Sequence, residues 1–180
     1  MVPAEGSAGP RIVLAGGGTG GHVFPGLALA EELRAQDPEC QLLFAGSPGG
    51  LEERAVPEAG WELELLPSVK VKGALGYLKL SFTLLRAVRA AMKVISRFSP
   101  QVVVALGGYA SFAPAIAAWR RKLPVVVLEQ NAIPGRVSRV LARFAVEVEA
   151  TYPESVEAFA HPERVKVPGN PVRSEILAAA

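Results

Sequence analysis

Aspartate is almost missing from this chain: Asp37 is the only one in 180 residues. An Asp-x-Asp metal site of the kind many sugar-nucleotide enzymes use cannot be built from it. Histidine is nearly as scarce, with only His22 and His161, and Cys40 is the single cysteine, so no cluster has zinc spacing. A lone cysteine closes no intramolecular disulfide, which fits a reducing compartment, and before an apolar run Cys40 reads as a small buried hydrophobe. A formal net charge of +2 gives no global attraction to nucleic acid, and the aromatic platforms of single-strand binders are missing. Residues 1–10 lack the apolar stretch of a secretory signal and read as a tail. The longest uncharged run, Phe98 to Trp119, is long enough to raise a membrane span, but Pro100, Gln101, Gly107, Gly108 and Pro114 interrupt it. A strand, a turn and a helix explain it better.

What is present is a high aliphatic content: half of the residues are hydrophobic, enough to bury one sizeable core. Strand-length apolar runs cover 11–15, 40–45, 61–66, 101–106, 124–128, 146–150 and 164–167. Helical patterns separate them at 25–36, 51–58, 77–98, 111–122, 136–144 and 153–160. Strands that read as continuous Val/Leu runs are buried on both faces, and their alternation with helices predicts an α/β fold, a Rossmann-like doubly wound parallel sheet. Residues 11–167 form that domain. Pro168-Gly169-Asn170-Pro171 punctuates the last strand and opens a linker over 168–180, which ends in a helical start with no partner, so a second domain is expected beyond it.

In such sheets ligands sit outside the carboxyl ends of the strands. The first loop there is Gly16-Gly17-Gly18-Thr19-Gly20-Gly21-His22. Glycines let a backbone turn sharply and approach a ligand, and a helix start favours an anion. Gly16, Gly18 and Gly21 satisfy Gly-x-Gly-x-x-Gly, so a dinucleotide-binding oxidoreductase must be weighed. That reading wants an acid at the end of the second strand, where Phe44-Ala45-Gly46-Ser47 supplies none. No Gly-Lys-Ser/Thr follows, which excludes a P-loop. A tight turn alone needs fewer glycines, and the loop is read as a phosphate or diphosphate contact. His22 can accept a proton as a neutral imidazole, or merely cap or pack; His161, in a polar loop, reads as solvated.

Gly107-Gly108-Tyr109-Ala110-Ser111 is a second glycine turn after a strand, with Ser111 placed to cap the following helix. Glu129-Gln130-Asn131 ends another buried strand and is expected to face the ligand edge. A carboxylate there can accept a proton and an amide can bind sugar hydroxyls, the alternative being a capping turn before Pro134-Gly135. Between Ser68 and Arg97 the chain carries seven cations and no acid. On the helix 77–98, Lys79, Arg86, Arg89, Lys93 and Arg97 share one face with Phe82, while Leu78, Leu85, Val88, Met92 and Ile95 should pack on the sheet. Cations interleaved with exposed apolar groups suit an anionic bilayer surface, the alternative being an ordinary solvated face.

The block from Gly17 to Ala28 resembles the opening signature of the MurG family of bacterial cell-wall glycosyltransferases. Leu106-Gly107-Gly108-Tyr109, Glu129-Gln130-Asn131 and Gly169-Asn170-Pro171-Val172-Arg173 follow in that family's order. The resemblance implies the N-terminal domain of an inverting, metal-independent GT-B glycosyltransferase with no cofactor. Its partners would be UDP-N-acetylglucosamine, the undecaprenyl-pyrophosphoryl-muramoyl-pentapeptide acceptor (lipid I) and the anionic cytoplasmic face of the inner membrane. His22 would be the base, with Glu129 the other candidate. Thr19, Gly20, Gly21, Asn131 and Arg173 would contact the donor. Gly17, Gly18, Gly107, Gly108 and Tyr109 would hold the acceptor diphosphate. Leu75, Lys79, Phe82, Arg86, Arg89, Lys93 and Trp119 would face the membrane. The family's second-domain glycine-serine motif has no counterpart here, so this polypeptide alone should not transfer sugar. Lysines in Val69-Lys70-Val71-Lys72-Gly73 stand where the family leads one to expect an arginine near a glycine. A stand-alone anchoring subunit of a two-chain transferase is the other implied arrangement.

Overall fold

A computed structural model describes residues 9–67 and 74–172, with residues 74–81 as backbone only. Strands and helices alternate in the order β1 (Arg11–Gly16), α1 (Gly20–Gln36), β2 (Gln41–Gly46), α2 (Glu52–Glu58), β3 (Glu62–Leu65), α3 (Ala74–Phe98), β4 (Val102–Gly107), α4 (Phe112–Arg120), β5 (Val125–Glu129), α5 (Arg136–Leu141), β6 (Glu147–Ala150) and β7 (Val165–Lys166). The seven strands form one sheet in the order β3-β2-β1-β4-β5-β6-β7, and every pairing is parallel. The chain steps outward from β1 to β3, and α3 then carries it back to lay β4 on the other side of β1. That reversal between β1 and β4 is the switch point at which doubly wound sheets bind ligands.

Successive side chains of a strand point to opposite faces, so uniformly apolar strands feed two cores. Ile12, Leu14, Val104 and Leu106 pack with Val23, Leu27 and Val56 under α1 and α2. Val13, Ala15, Val103 and Ala105 pack with Ala87, Val88, Ala115 and Leu141 under α3, α4 and α5. Burying a residue such as Leu106, 1% exposed, contributes about 1.5–3 kcal/mol. Cys40 lies in the first of these cores, as its small apolar character predicts, and burial pushes its thiol up from its ordinary value, with Asp37 adding to the rise. Past β7 the chain turns back, and residues 168–171 line an apolar groove of about 470 Å³ with Leu33, Val102, Val126 and Glu149.

The observed strands follow the sequence reading to within a residue or two, but four local expectations need correction. The first helix begins at Gly20, not Pro25, so the last glycines of the turn are the helix's own first residues. On α3 the buried stripe runs through Ala87, Val88, Ala91, Val94 and Ile95, and Leu85 is 42% exposed. Alanines at 87 and 91 let α3 approach its neighbours closely and turn Leu85 outward. The side chain of Leu78 lies outside the described residues. The segment 153–158 is 3-10 instead of α-helical, tightened where Ser155 donates both its N–H and its hydroxyl to the Tyr152 carbonyl. Ser111 makes no cap on α4; its hydroxyl donates back to the Gly108 carbonyl at 2.9 Å within the 3-10 turn Tyr109–Ser111.

Candidate active site at the switch point

Both glycine turns open at the reversal of strand order. Leu106 is an extra residue on β4, because Ala15 pairs with Ala105 and Gly16 with Gly107. Such a bulge bends a strand end and re-aims the residues beyond it. A side chain is excluded at several points of this approach. A β-carbon on Gly107 would lie 2.6 Å from His22 Cδ2 and 2.8 Å from Nε2, and one on Gly108 would lie 2.6 Å from the Gly17 carbonyl oxygen. Gly107 and Gly108 also sit at φ 99° and 70°, a backbone region costly for other residues. The two turns are therefore in direct contact, and the half-buried His22 ring fills the angle between them.

The start of α1 is unusual in what it leaves open. Thr19 is the N-cap residue, but it makes no side-chain cap; its Oγ1 is 3.2 Å from His22 Nδ1. The first N–H groups of any helix lack intrahelical acceptors, and here no threonine oxygen covers them. The amides of His22 and Val23 both reach the Thr19 carbonyl at 3.1 Å, which leaves Gly20 and Gly21 to present theirs at the positive end of a 17-residue helix. Anions collect at such ends. The Thr19 hydroxyl engages Nδ1 and the ring turns Nε2 toward Gly107; in the tautomer with its proton on Nδ1, Nε2 carries the lone pair.

Gly17 and Gly18 behave otherwise, through a residue that the sequence reading did not single out. Glu52, the first residue of α2, is 1% exposed. Its Oε2 accepts the Gly18 N–H at 2.7 Å, and its Oε1 accepts the Ser47 N–H at 2.9 Å and the Ser47 hydroxyl at 3.1 Å. A β-carbon on Gly17 or Gly50 would sit 2.1 Å from a Glu52 carboxyl atom, and one on Gly46 would sit 2.5 Å from its Cγ. So no acid ends β2, yet one folds back to that place from five residues beyond Ser47. The available clue was the glycine and serine content of 46–50 before a glutamate at a helix start.

Glu129 is 2% exposed and does not face a ligand edge. Its Oε1 accepts the Asn131 N–H at 2.9 Å and the Asn131 Nδ2 at 2.7 Å, and its Oε2 accepts the Gly135 N–H at 3.1 Å. The capping alternative describes its hydrogen bonds: Glu129 anchors the turn that starts α5, with both oxygens engaged. Asn131 sits exposed on that turn, and Gln130 ties it to β4 by donating Nε2 to the Leu106 carbonyl at 3.1 Å. Tyr109 is 69% exposed beside the second glycine turn.

On α3, Arg86, Arg89 and Lys93 are exposed, and Phe82, 64% exposed, lies under the Arg86 guanidinium at 5.9 Å. Arg97 pairs with Glu64 of β3, so the end of that face is not purely cationic. Trp119 is 52% exposed and its ring rests 5.3 Å from that of Phe144. Arg173, Lys70 and Lys72 lie outside the described residues, as do the side chains of Leu75 and Lys79. His161 is partly exposed and approaches Glu163 at 3.2 Å. Among the described residues no helix is long and apolar enough to cross a membrane, and no group of three His, Cys, Asp or Glu side chains is placed to hold a metal ion.

Residues 12–149 match the glycosyltransferase family 28 N-terminal domain. The chain is 41% identical over 172 residues to a UDP-N-acetylglucosamine–N-acetylmuramyl-(pentapeptide) pyrophosphoryl-undecaprenol N-acetylglucosamine transferase of Thermodesulfovibrio yellowstonii, covering 93% of this chain and 46% of that protein. It is 44% identical over 169 residues to the protein of the same name from Pelobacter propionicus, covering 93% of this chain and 44% of that one. The crystal structure of Acinetobacter baumannii MurG superposes with a TM-score of 0.77 at 28% identity, over 92% of this chain and 46% of that one. An S. aureus MnaA–UDP structure, at 16% identity and a TM-score of 0.66 over 89% of this chain and 44% of that one, shares the fold. The chain thus spans about half the length of the relatives it matches.

Proposed function

The chain belongs to the glycosyltransferase family 28 N-terminal domains, and from that footing we propose that it is the acceptor-side half of an inverting glycosyltransferase. The reaction moves N-acetylglucosamine from UDP-N-acetylglucosamine to the C4 hydroxyl of the lipid-linked muramoyl-pentapeptide, lipid I, giving lipid II. One observation carries this reading: the two glycine turns meet around His22 at the switch point, beside a helix start whose first N–H groups carry no side-chain cap. A substrate diphosphate suits that edge, and the lipid-linked acceptor would lie against Gly107, Gly108 and Tyr109 on its other side. His22 Nε2 takes the proton of the C4 hydroxyl as that oxygen bonds to C1 of the donor sugar. The bond from C1 to the diphosphate oxygen breaks, UDP leaves with the electron pair, and the configuration at C1 inverts. The second half that the relatives carry would hold most of the UDP-sugar, with Thr19, Gly20, Gly21, Asn131 and Arg173 reaching it from this side. Helix dipoles and cations, rather than a metal, would neutralise the leaving group.

The test is division of labour. A full-length protein carrying this segment should transfer labelled N-acetylglucosamine to a lipid I analogue. The 180-residue chain alone should transfer none and should bind UDP-N-acetylglucosamine only weakly in calorimetry. Tight binding by the chain alone would overturn the assignment of the two halves.

The exposed face of α3 is proposed to rest on the anionic cytoplasmic surface of the inner membrane, each Lys or Arg near the surface being worth about 1 kcal/mol. Replacing Arg86, Arg89 and Lys93 by Glu should sharply reduce co-sedimentation with phosphatidylglycerol vesicles, and unchanged sedimentation would remove this face as the membrane contact.

A further inference from the structure

Glu52 takes no part in the chemistry just described, yet it is a fully buried acid in contact with the loop on which that chemistry depends. Its surroundings are built for it. Gly17 comes from the β1–α1 loop and Gly46 and Gly50 from the end of β2 and the loop after it, and a side chain on any of them would strike Glu52. The three hydrogen bonds it accepts come from the β1–α1 loop and from the β2–α2 loop, so the carboxylate clamps two loops and reaches Gly18 across 34 residues of chain. Placement in the first turn of α2 sets a negative charge where the helix dipole favours it. Glu53, its neighbour, repeats the device on the outside by accepting the Gly49 N–H at 2.7 Å.

The clamp has a chemical consequence at the glycine turn. In a glycine-rich turn an anion is free to choose among successive N–H groups. Here the Gly18 N–H is already taken, and a buried negative charge stands behind Gly17 and Gly18. Among the N–H groups left for an incoming anion are those of the α1 start, Gly20 and Gly21, next to His22. We propose that Glu52 is a positioning residue that sets where a substrate diphosphate binds: it withdraws Gly18 from the donor set, repels anionic charge from the strand end, and directs the diphosphate to the helix start beside the imidazole. This rests on the reading of the turn as a diphosphate site. It also gives a physical reason why a chain that satisfies Gly-x-Gly-x-x-Gly does not bind an anion across all of that pattern.

The experiment tracks the backbone amides of Gly18, Gly20 and Gly21 by ¹H–¹⁵N NMR in the 180-residue chain during titration with geranyl diphosphate and, separately, with UDP. In the unaltered chain the Gly20 and Gly21 resonances should move with diphosphate while Gly18 stays still. The probe that moves them at lower concentration identifies whether the lipid-linked or the nucleotide diphosphate uses the site. In Glu52→Gln the two Ser47 donors keep the amide oxygen, so the NH₂ faces Gly18 and cannot accept its N–H; Gly18 should become responsive, and with the buried like charge gone diphosphate affinity should rise about tenfold. Ser47→Ala removes one bond but keeps the charge and the Gly18 contact, so Gly18 should stay still and the affinity should change less than about threefold. If Gly18 moves with Gly20 and Gly21 in the unaltered chain, or if Gly18 stays still in Glu52→Gln or the affinity does not rise, Glu52 does not set the position and the proposal falls while the diphosphate site stands. If no amide of the turn responds to either probe in the unaltered chain, the diphosphate reading itself falls and takes this proposal with it.

Discussion

Two buried carboxylates, Glu52 and Glu129, hold the carboxyl edge of this sheet, and they do so in different ways. Each is nearly inaccessible, each accepts three hydrogen bonds from neutral donors, and neither has an ion-pair partner among the described residues. Glu129 takes all of its donors from residues two to six positions ahead, so it closes its own turn. Glu52 reaches a loop 34 residues earlier and joins it to the loop in front of its own helix. The first arrangement shapes one loop. The second couples two, and one of them carries His22. An acid at a strand end can thus be scaffolding in both places while joining two loops in only one.

The largest effect that would sharpen this contrast is expected on the Glu52 side. In a full-length protein carrying this segment, His22→Ala should lower turnover by about 10²–10⁴-fold, the range for loss of general base catalysis, with the melting temperature little changed. Near-normal turnover would move the base elsewhere and detach the chemistry from the clamped loop. Next come the carboxylates themselves. Glu52→Gln and Glu129→Gln should each cost about 1.5–3 kcal/mol in denaturant titrations, since each leaves N–H donors facing an amide NH₂. Their footprints should differ: hydrogen exchange should quicken over 130–136 alone in Glu129→Gln, and over both 17–20 and 47–50 in Glu52→Gln. Identical footprints would break the comparison.

The smallest effect concerns a third acid that lacks such donors. Glu149 on β6 is pushed up to about 7, first by burial and then by the neighbouring Glu147 carboxylate, while Lys166 pulls the other way. The folded state therefore holds this proton more tightly than the unfolded chain does. Its stabilisation is complete below the ordinary carboxylate value of 4.5 and is lost as pH rises through about 7. Thermal unfolding should show a modest fall in stability between pH 5 and 8 that Glu149→Gln abolishes, and a slope surviving in that variant would assign the pH dependence to another group.

Much of this molecule is legible from local pattern. Apolar runs such as Val102–Leu106 announce buried strands, and Gly107-Gly108 after one of them announces a turn at the ligand edge, because burial and φ preference act on neighbours in sequence. The start of α1 was less legible. Pro25 looks like a helix beginning, but the glycines before it already adopt helical backbone once Thr19 turns its hydroxyl to His22 instead of to the N–H groups. The stripe on α3 was misjudged at Leu85 for a similar reason: an apolar residue near the edge of a stripe goes in or out according to how closely the neighbouring helix can approach.

The sequence by itself determined the parallel α/β sheet, the two glycine turns and the cationic helix, since each arises from periodicity or composition within a short window. Only the tertiary structure decided that the turns meet around His22, that Glu129 faces inward, and that Glu52 occupies space left by the distant Gly17 as well as by Gly46 and Gly50. Those outcomes depend on strand order and on a one-residue bulge beside the switch point. The cause is physical: a buried carboxylate takes whatever donors the fold brings to it, and the Gly18 N–H reaches Glu52 from 34 residues away, outside any local window.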